Sequence, residues 1–506
     1  MPERPTQRTR IIIRSASDVT GLINSGTARG ANAGMITFIA LGGIFIDAYD
    51  FSSISFGMSG ITKVFRLTPL AEGVVAASIM IGAIVGALVG GYLVDRVGRY
   101  KIFMADMLFF VVAALACAVA PNAGILIAAR LLMGFGIGMD FPVALAFIAE
   151  FNALRGRGGR VSLWQVMWYA ATSSSFLLLV PLYFLIPTSS DASVLWRWAV
   201  GFGAVPALAV MLIRRRYMEE SASWAANQGD LPRAAAILRK SYGVDAVADP
   251  PEGGQGQRRQ RPGLSAFRRL FGPRYRNRTI VSCVVSFCQS LQYYAVGFAL
   301  PVIIAGLLKQ GTLTTILGSL LFNLLFGVTG GYAGSRLADR WGSWKLSTTG
   351  FAACLIALLV LGILGHPSGT APLLMVGLMI GVFVFFHAAG PGAQGMTMAG
   401  LSYPTSLRGV GTGFAQGVLR VGSTVSLLWF PVLSKHFATD VFYLVALVPA
   451  VGLATLVLIR WEPVGADVDA EDYTDDREAV PADTAPAAGR PAPDGPVSVN
   501  RPGTAR

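Results

Sequence analysis

Three aspartates interrupt long apolar stretches of this sequence, where an ionised carboxylate is costly. Asp47 and Asp50 lie three positions apart, and Asp140 lies between Gly138 and Pro142. Residues three apart share one face of a helix, and two carboxylates that close repel each other, so one of them holds its proton more tightly. We therefore expect Asp47, Asp50 and Asp140 to take up and release protons. The alternative for each is a structural pairing with an arginine or a neighbouring polar side chain.

A second set of polar side chains in these stretches could contact a small solute. Amide, phenol, imidazole and guanidinium groups fix the orientation of a polar molecule, and rings supply contact area. His387 lies just before the Gly390-Pro391 pair, and such interruptions expose backbone groups toward a cavity. We take Arg130 as the only arginine clearly inside an apolar stretch. Arg130 could contact the substrate, and the alternative is a role in gating. The candidates for substrate contact are Arg130, Gln165, Gln292, Tyr293, His387 and Gln394.

Membrane-spanning helices must position these residues. The 506 residues are 53% apolar and 14% charged, whereas soluble domains contain about 45–50% apolar and about 25% charged residues. Irregular backbone cannot face lipid, so apolar runs of about 20 residues predict helical spans. This composition excludes a soluble enzyme, a disordered scaffold and a disulfide-stapled secreted domain. We predict twelve spans, at 36–58, 71–94, 102–120, 124–150, 161–186, 196–213, 279–306, 313–338, 345–364, 371–399, 410–434 and 440–460.

Charge patterning divides the chain into five parts. Basic residues favour the cytoplasmic side of a membrane, which places both termini and the central loop inside. The acidic and Pro/Ala-rich end is typical of disorder. The parts are a basic N-terminal segment (1–35), a six-helix bundle (36–213), a basic loop (214–278), a second six-helix bundle (279–460) and a disordered tail (461–506).

The two predicted bundles share a repeated segment. Residues 91–101 and 335–345 are identical at five of eleven positions, at an offset of 244 residues. Leu154-Arg155-Gly156 also corresponds to Leu407-Arg408-Gly409 in the second bundle. Such a duplication predicts an all-α integral membrane fold, with twelve transmembrane helices in two pseudo-symmetric bundles and a substrate site between them.

The repeated segment also carries a family resemblance. Gly91-x-Leu-x-Asp-Arg-x-Gly-Arg-x-Lys101 resembles the signature of the major facilitator superfamily, and Arg130-x3-Gly134-x-Gly136-x-Gly138 resembles its fourth-helix signature. Tyr403-Pro404-Thr405-x-x-Arg408-Gly409 resembles a loop of sugar and metabolite porters. The resemblance implies the major facilitator fold and transport by alternating access. It implies a cytoplasmic gate, for which the candidates are Asp95, Arg96, Arg99, Asp339, Arg340, Arg155 and Arg408.

Resemblances to individual branches of the superfamily are less uniform. Asp47-Ala-Tyr-Asp50 resembles motifs of phosphate:proton and aromatic-acid:proton symporters, and the segment around Asp140 resembles the phosphate branch. On the seventh predicted helix, however, the Trp and Asp of the phosphate site are missing, and Gln292 falls nearest the Asp. A substrate other than phosphate is therefore favoured.

Motifs for other chemistry are absent from the sequence. It contains no Walker loop, no metal-ligand spacing and no nucleophile elbow. We therefore expect a transporter of the plasma membrane and not an enzyme. We expect it to act as a monomer on a small solute and protons. We expect no cofactor, no metal and no nucleic-acid partner. The favoured function is proton-coupled symport of a small anionic organic metabolite. The alternatives are inorganic phosphate:proton symport, proton-coupled drug efflux by antiport, and a non-transporting membrane sensor of the same fold.

Overall fold

The computed structural model describes residues 10–26, 33–185, 192–249, 264–297, 300–301, 304, 312–365 and 369–472. Part of the predicted seventh span and residues 473–506 of the predicted tail therefore lie outside the described residues.

Helices dominate the first half of the described chain. One short parallel strand pair, β1 with β2, joins the N-terminal segment to the segment that follows the sixth span. The elements are β1 (Ile11–Ile13), α1 (Ala16–Asn24), α2 (Ala33–Phe65), α3 (Pro69–Val97), α4 (Arg99–Ala118), α5 (Ala123–Phe151), α6 (Arg157–Leu185), α7 (Ala192–Phe202), α8 (Ala204–Tyr217), α9 (Ala222–Asn227), α10 (Leu231–Tyr242) and β2 (Ala246–Ala248).

The described part of the second half is also helical, and two of its spans contain π-helical segments. These segments are Asn323–Val328, between α13 and α14, and Ala388–Gly392, between α16 and α17. The helices are α11 (Ser265–Arg269), α12 (Arg276–Val296), α13 (Thr312–Phe322), α14 (Thr329–Trp341), α15 (Ser343–Leu364), α16 (Thr370–His387), α17 (Ala393–Leu401), α18 (Arg408–Phe437) and α19 (Val441–Leu458).

The predicted all-α membrane fold is confirmed. Eleven helical stretches of the described chain are long and apolar enough to cross a membrane. The span predicted at 410–434 corresponds to α18, whose 30 residues extend about 45 Å. It is less apolar than the others because it carries Arg408 and Arg420 among several small polar residues.

The two halves pack together closely along α3 and α18 and along α6 and α14. A Cβ atom on Gly91 of α3 would lie 2.5 Å from the carbonyl oxygen of Gly409 and 2.9 Å from Cα of Gly413. Only glycine permits this approach of two backbones, as in other close crossings of membrane helices. The repeated glycine-containing segments therefore bring the halves into direct contact.

One end of the bundle, which we call the terminal face, carries α1, β1, α9, α10 and β2. The region predicted as a basic loop is thus partly folded onto the first half. Trp224 of α9 donates a hydrogen bond to the main-chain oxygen of Asp95 at 3.0 Å. The ring of Tyr242 in α10 stacks on Phe151, with centroids 5.7 Å apart.

Residues 461–472, which we call the C-terminal strap, correct the prediction of a disordered tail over 461–506. The strap packs on the terminal face, where Glu462 accepts hydrogen bonds from the backbone of Ser343 and Trp344 at the start of α15 (3.1 and 2.9 Å). Trp461 donates to Ser402 at 2.8 Å. The composition of this segment indicated disorder, because composition alone does not show which residues an acidic segment contacts in the fold.

Candidate functional site

A small cavity lies between the two halves, about midway along the bundle. It is about 20 Å³ in volume, which is room for about one water molecule. Helices α5 and α6 line it from the first half, and α12, α16 and α18 from the second. Its walls are Phe141, Trp164, Gln165, Trp168, Gln289, Tyr293, Tyr294, His387, Gln416, Leu419 and Arg420.

The cation in the cavity wall is Arg420, and it is paired across the halves. Its Nη2 lies 2.6 Å from Oδ2 of Asp47 on α2, and both side chains are buried. Its Nη1 lies 3.4 Å from Tyr294 Oη. The Gln416 amide oxygen, when it faces the guanidinium, accepts from Nε and Nη2 at 3.1 Å. This ion pair joins the first and second halves beside the cavity.

Arg420 also corrects the sequence analysis, which took Arg130 as the only arginine inside a span. Arg420 lies near the middle of the span predicted at 410–434. A charged residue at such a position is itself a signal of function, and this signal could have identified Arg420 from the sequence. Arg130 lies outside the cavity wall and donates to the main-chain oxygens of Val75 (2.9 Å) and Ala76 (3.3 Å).

Aromatic stacking orients His387 in the cavity wall. Its ring lies 5.1 Å from the Tyr293 ring, and the two planes differ by 15°. Phe383 stacks on it at 6.0 Å and 13°. Nε2 of His387 lies 3.1 Å from the main-chain oxygen of Gln289 and 3.2 Å from its side-chain oxygen. The π-helical segment that follows His387, with Gly390 at φ −102° and ψ −112°, ends the regular helix at this point.

Of the six predicted substrate contacts, Gln165, Tyr293 and His387 meet in the cavity wall, and the other three do not. Gln394 instead accepts hydrogen bonds from Ser343 (2.8 Å) and Ser162 (3.3 Å). Gln292 is buried beside Cys354. All six roles remain predictions.

The three predicted proton-binding aspartates occupy different surroundings. Asp50 is buried within electrostatic reach of Arg130. Asp140 lies 2.8 Å from Nη2 of Arg214, whose Nη1 lies 3.2 Å from Asp106. The sequence analysis missed Arg214 because it follows the predicted end of the sixth span by one residue. The structure thus places one of the three, Asp47, in the ion pair beside the cavity.

At the terminal face, two aspartates of the repeated segments accept hydrogen bonds from the first residues of helices in the opposite half. Asp95 accepts from the backbone N–H groups of Gly409 (3.2 Å) and Val410 (3.0 Å) in α18. Asp339 accepts from the N–H group of Gly159 in α6 at 3.2 Å. Negative charge is favourable at helix N-termini. These contacts join the two halves at the terminal face.

A buried charge cluster lies beside these contacts. Arg99 Nη2 lies 2.8 Å from Glu150 and 3.1 Å from Asp95, and it donates to the main-chain oxygen of Thr405 at 3.2 Å. Arg408 lies 3.6 Å from the same Glu150 oxygen. The cluster therefore combines residues of both halves.

The structure leaves three predicted gate residues outside these contacts between the halves. Arg96, Arg155 and Arg340 are exposed, and Arg96 donates to Tyr92 Oη at 2.7 Å on its own helix. The gating role of all seven candidates remains a prediction.

The C-terminal strap also joins the halves. Asp469 Oδ1 accepts from Arg408 Nη2 at 2.5 Å, and its Oδ2 lies 3.4 Å from Arg157 Nη1 at the start of α6. Asp467 accepts from Asn24 at 3.0 Å, and Asn24 accepts from Arg157 at 2.5 Å. Burial alone would raise the pKa of Asp469, but the two guanidinium groups outweigh burial and hold its pKa below the usual value.

Comparisons with known proteins cover both halves. Residues 30–469 match the model of the family described as "Sugar (and other) transporter". The inner membrane metabolite transport protein YgcS of Escherichia coli (strain K12) is 28% identical over 431 residues, covering 85% of this chain and 91% of YgcS. The niacin transporter NiaP of Acinetobacter baylyi is 28% identical over 450 residues, covering 86% of this chain and 95% of NiaP. The structure of the proton:xylose symporter XylE bound to 6-bromo-6-deoxy-D-glucose superimposes with a TM-score of 0.72 at 18% identity, covering 89% of this chain and 99% of that one.

Proposed function

This chain belongs to the sugar (and other) transporter family, within the major facilitator superfamily, and is a transporter rather than an enzyme. On that premise we propose that it takes up a small organic anion together with protons by alternating access. The observation that carries the proposal is the ion pair between Asp47 and Arg420, which closes the two halves together beside the cavity.

The ion pair makes the binding of an anion and of a proton interdependent. Arg420 presents a planar guanidinium, which binds a carboxylate with two parallel hydrogen bonds. In the closed structure, Asp47 occupies one side of that guanidinium. A substrate carboxylate competes with Asp47 for Arg420, and a proton on Asp47 removes the competitor.

The same arrangement explains why the two solutes would cross together. A buried charge without a partner costs several kcal/mol. With nothing bound, Asp47 neutralises Arg420. With both solutes bound, the substrate carboxylate neutralises Arg420 and the proton neutralises Asp47. A proton alone leaves an unpaired guanidinium, and an anion alone leaves an excess carboxylate. The empty and fully loaded proteins therefore close readily, as symport requires.

We propose further that the terminal face is cytoplasmic and that both termini lie inside the cell. The basic residues of the N-terminal and central segments support this orientation through the positive-inside rule. Asp50 with Arg130, and Asp140 with Arg214, are further candidates for proton binding in the first half.

Sugar uptake with protons is a second candidate function. It is favoured by the amides of Gln165, Gln289 and Gln416 in the cavity wall, because amides can bind the hydroxyl groups of a neutral solute. A neutral sugar, however, leaves Arg420 paired with Asp47.

Proteoliposomes with a pH dye inside distinguish these functions. Phosphate, aromatic acids, dicarboxylates, sugars and cationic drugs are added in turn. Internal acidification with an organic anion, lost in Arg420→Gln, supports the proposal. Asp47→Asn is expected to abolish acidification while anion binding persists, and Asp140→Asn tests the second acidic site. Asp440→Asn, at an exposed carboxylate, is the control. Acidification with sugars alone would contradict the anion assignment.

A further inference from the structure

An apolar groove lies on the outer surface of the second half, between α12, α18 and α19. Its volume is about 350 Å³, which is within the range of about 300–1,000 Å³ that is typical of ligand sites. Leu447 is 63% exposed and Val451 is 55% exposed, so the groove is open along α19. Besides two cysteines, its walls are Val284 and Phe287 of α12, Val418 of α18, and Leu447, Val448 and Val451 of α19. In a membrane, the open side of this groove faces lipid.

The depth of the groove corresponds to one leaflet of a bilayer. At the terminal face, α12 begins at Arg276, α18 begins at Arg408 and α19 ends at Leu458. The groove residues lie about 7–12 positions from these ends, which is about 10–18 Å along a helix. The hydrocarbon core of a bilayer is about 30 Å thick, so one leaflet contributes about 15 Å. An acyl chain of the leaflet at the terminal face therefore reaches the groove.

The segment that contains α11 lies at the terminal-face end of the groove. Phe271, shortly after α11, packs edge to face on Phe414 of α18, with ring centroids 5.4 Å apart. Phe414 lies one helical turn before Val418, so both side chains share one side of α18. The main-chain oxygen of Leu270 accepts a hydrogen bond from Thr279 of α12 at 2.8 Å. These two contacts fix the segment against both α12 and α18.

Three arginines at this end of the groove carry positive charge that the described residues do not neutralise. Arg268 and Arg269 belong to α11, and Arg276 begins α12 on the face that continues into the groove. All three side chains are exposed, and none of them forms an ion pair within the described part of the chain. Glu471 of the C-terminal strap instead binds the neighbouring Arg278 at 2.9 Å. Basic residues at a membrane surface attract anionic lipid headgroups.

We propose that the groove binds one phospholipid with a net negative headgroup. An acyl chain fills the apolar groove between α12, α18 and α19, and the headgroup phosphate binds the arginines at its end. A zwitterionic headgroup carries its own cation, which the same arginines repel. A headgroup without a chain lacks the apolar contact. Tight binding therefore requires both the negative charge and the chain.

Native mass spectrometry of the full-length protein in detergent measures this binding. Phosphatidylglycerol and phosphatidylcholine with the same acyl chains are titrated after co-purified lipid has been removed. We expect one site that binds phosphatidylglycerol about tenfold more tightly or better, since each basic residue near the headgroup contributes about fivefold. Arg276→Gln is expected to weaken phosphatidylglycerol binding about fivefold. Arg239→Gln makes the same change at an exposed arginine of α10 and is expected to leave the affinity unchanged.

A bulky side chain tests the apolar part of the site. Val451→Trp fills the groove from its open side and is expected to weaken phosphatidylglycerol binding about tenfold or more, because each methylene group that loses its apolar contact costs about fourfold in affinity. Val112→Trp makes the same change at an exposed position of α4 and is expected to bind normally. Should Val451→Trp not fold, Val448→Phe narrows the same groove and is expected to weaken binding in the same direction.

Three results would overturn the proposal. Equal affinities for phosphatidylglycerol and phosphatidylcholine would exclude recognition of the headgroup charge. Unchanged affinity in both groove variants would exclude the groove as the site of the chain. Displacement of the lipid by an equal concentration of glycerol phosphate would assign the arginines to a free phosphate compound instead of a lipid.

Discussion

A substitution at Asp469 tests directly whether the C-terminal strap holds the two halves together. It is buried and binds Arg408 of the second half and Arg157 of the first. It also accepts hydrogen bonds from the backbone and hydroxyl of Thr405, at 3.1 and 3.0 Å. Asp469→Asn keeps the size of the side chain and removes its charge. Of these contacts, the one with Arg157 joins the strap to the first half and forms when the terminal face is closed, so the substitution shifts the balance toward the open state.

The size of the shift follows from what remains after the substitution. Arg408 keeps Glu150, and Arg157 keeps Asn24, so neither guanidinium is left without a partner. The loss is then one hydrogen-bonded charge interaction, about 2 kcal/mol. At 1.36 kcal/mol per factor of ten, this corresponds to about a 30-fold change in the ratio of open to closed protein.

Spin labels on the two halves measure this ratio. Lys101 and Arg336 are exposed residues of opposite halves at the terminal face, and nitroxides on cysteines at both positions report the distance between the halves. Asp469→Asn is expected to increase the population at long distance. Glu471→Gln removes a strap ion pair to Arg278, within the second half alone, and is expected to leave the distances unchanged. An unchanged distribution in Asp469→Asn, or an equal shift in Glu471→Gln, would refute the reasoning.

Three further perturbations have defined outcomes. Acid is expected to open the terminal face. The Asp469 carboxylate stabilises the closed face fully above its ordinary pKa of 3.8, and this stabilisation is lost as the pH falls through the lowered pKa. The distances between the spin labels should therefore lengthen only below about pH 4. Arg214→Met leaves Asp106 and Asp140 buried without their cation and is expected to destabilise the protein by about 3–5 kcal/mol, seen as a lower unfolding temperature in detergent; an unchanged temperature would show that the arginine is dispensable. Gly43→Ala places a methyl group on the Asp140 carboxylate and is expected to lower both stability and proton-coupled uptake, whereas normal uptake would show that α2 and α5 adjust freely.

The fold could be predicted because it follows from hydropathy and repetition. A span needs about 20 apolar residues wherever it lies in the chain, and the segments at Gly91 and Ser335 revealed the duplication. The same reasoning located Asp47, because a carboxylate in an apolar run is conspicuous. It passed over Arg420, although that residue lies in a predicted span, because the surrounding polar residues of α18 made it less conspicuous.

Partners distant in sequence could not be predicted from the same patterns. Asp47 and Arg420 are 373 positions apart, and Asp469 and Arg157 are 312 apart. No periodicity of one helix indicates which residue of another helix it will face. The pairing of Asp140 with Arg214 likewise depends on how α5 and α8 pack. The residue types at the site were therefore accessible from the sequence, whereas their pairing required the structure.

The contacts of the C-terminal strap with Arg157 and Asn24 have a consequence for the order in which the protein assembles during synthesis. Asn24 and Arg157 emerge early in synthesis, but Asp467 and Asp469 follow the last span of the second half. A nascent chain can therefore insert all its helices before these strap contacts can form. Ribosomal synthesis thus makes this contact available only after the helices of both halves have been made.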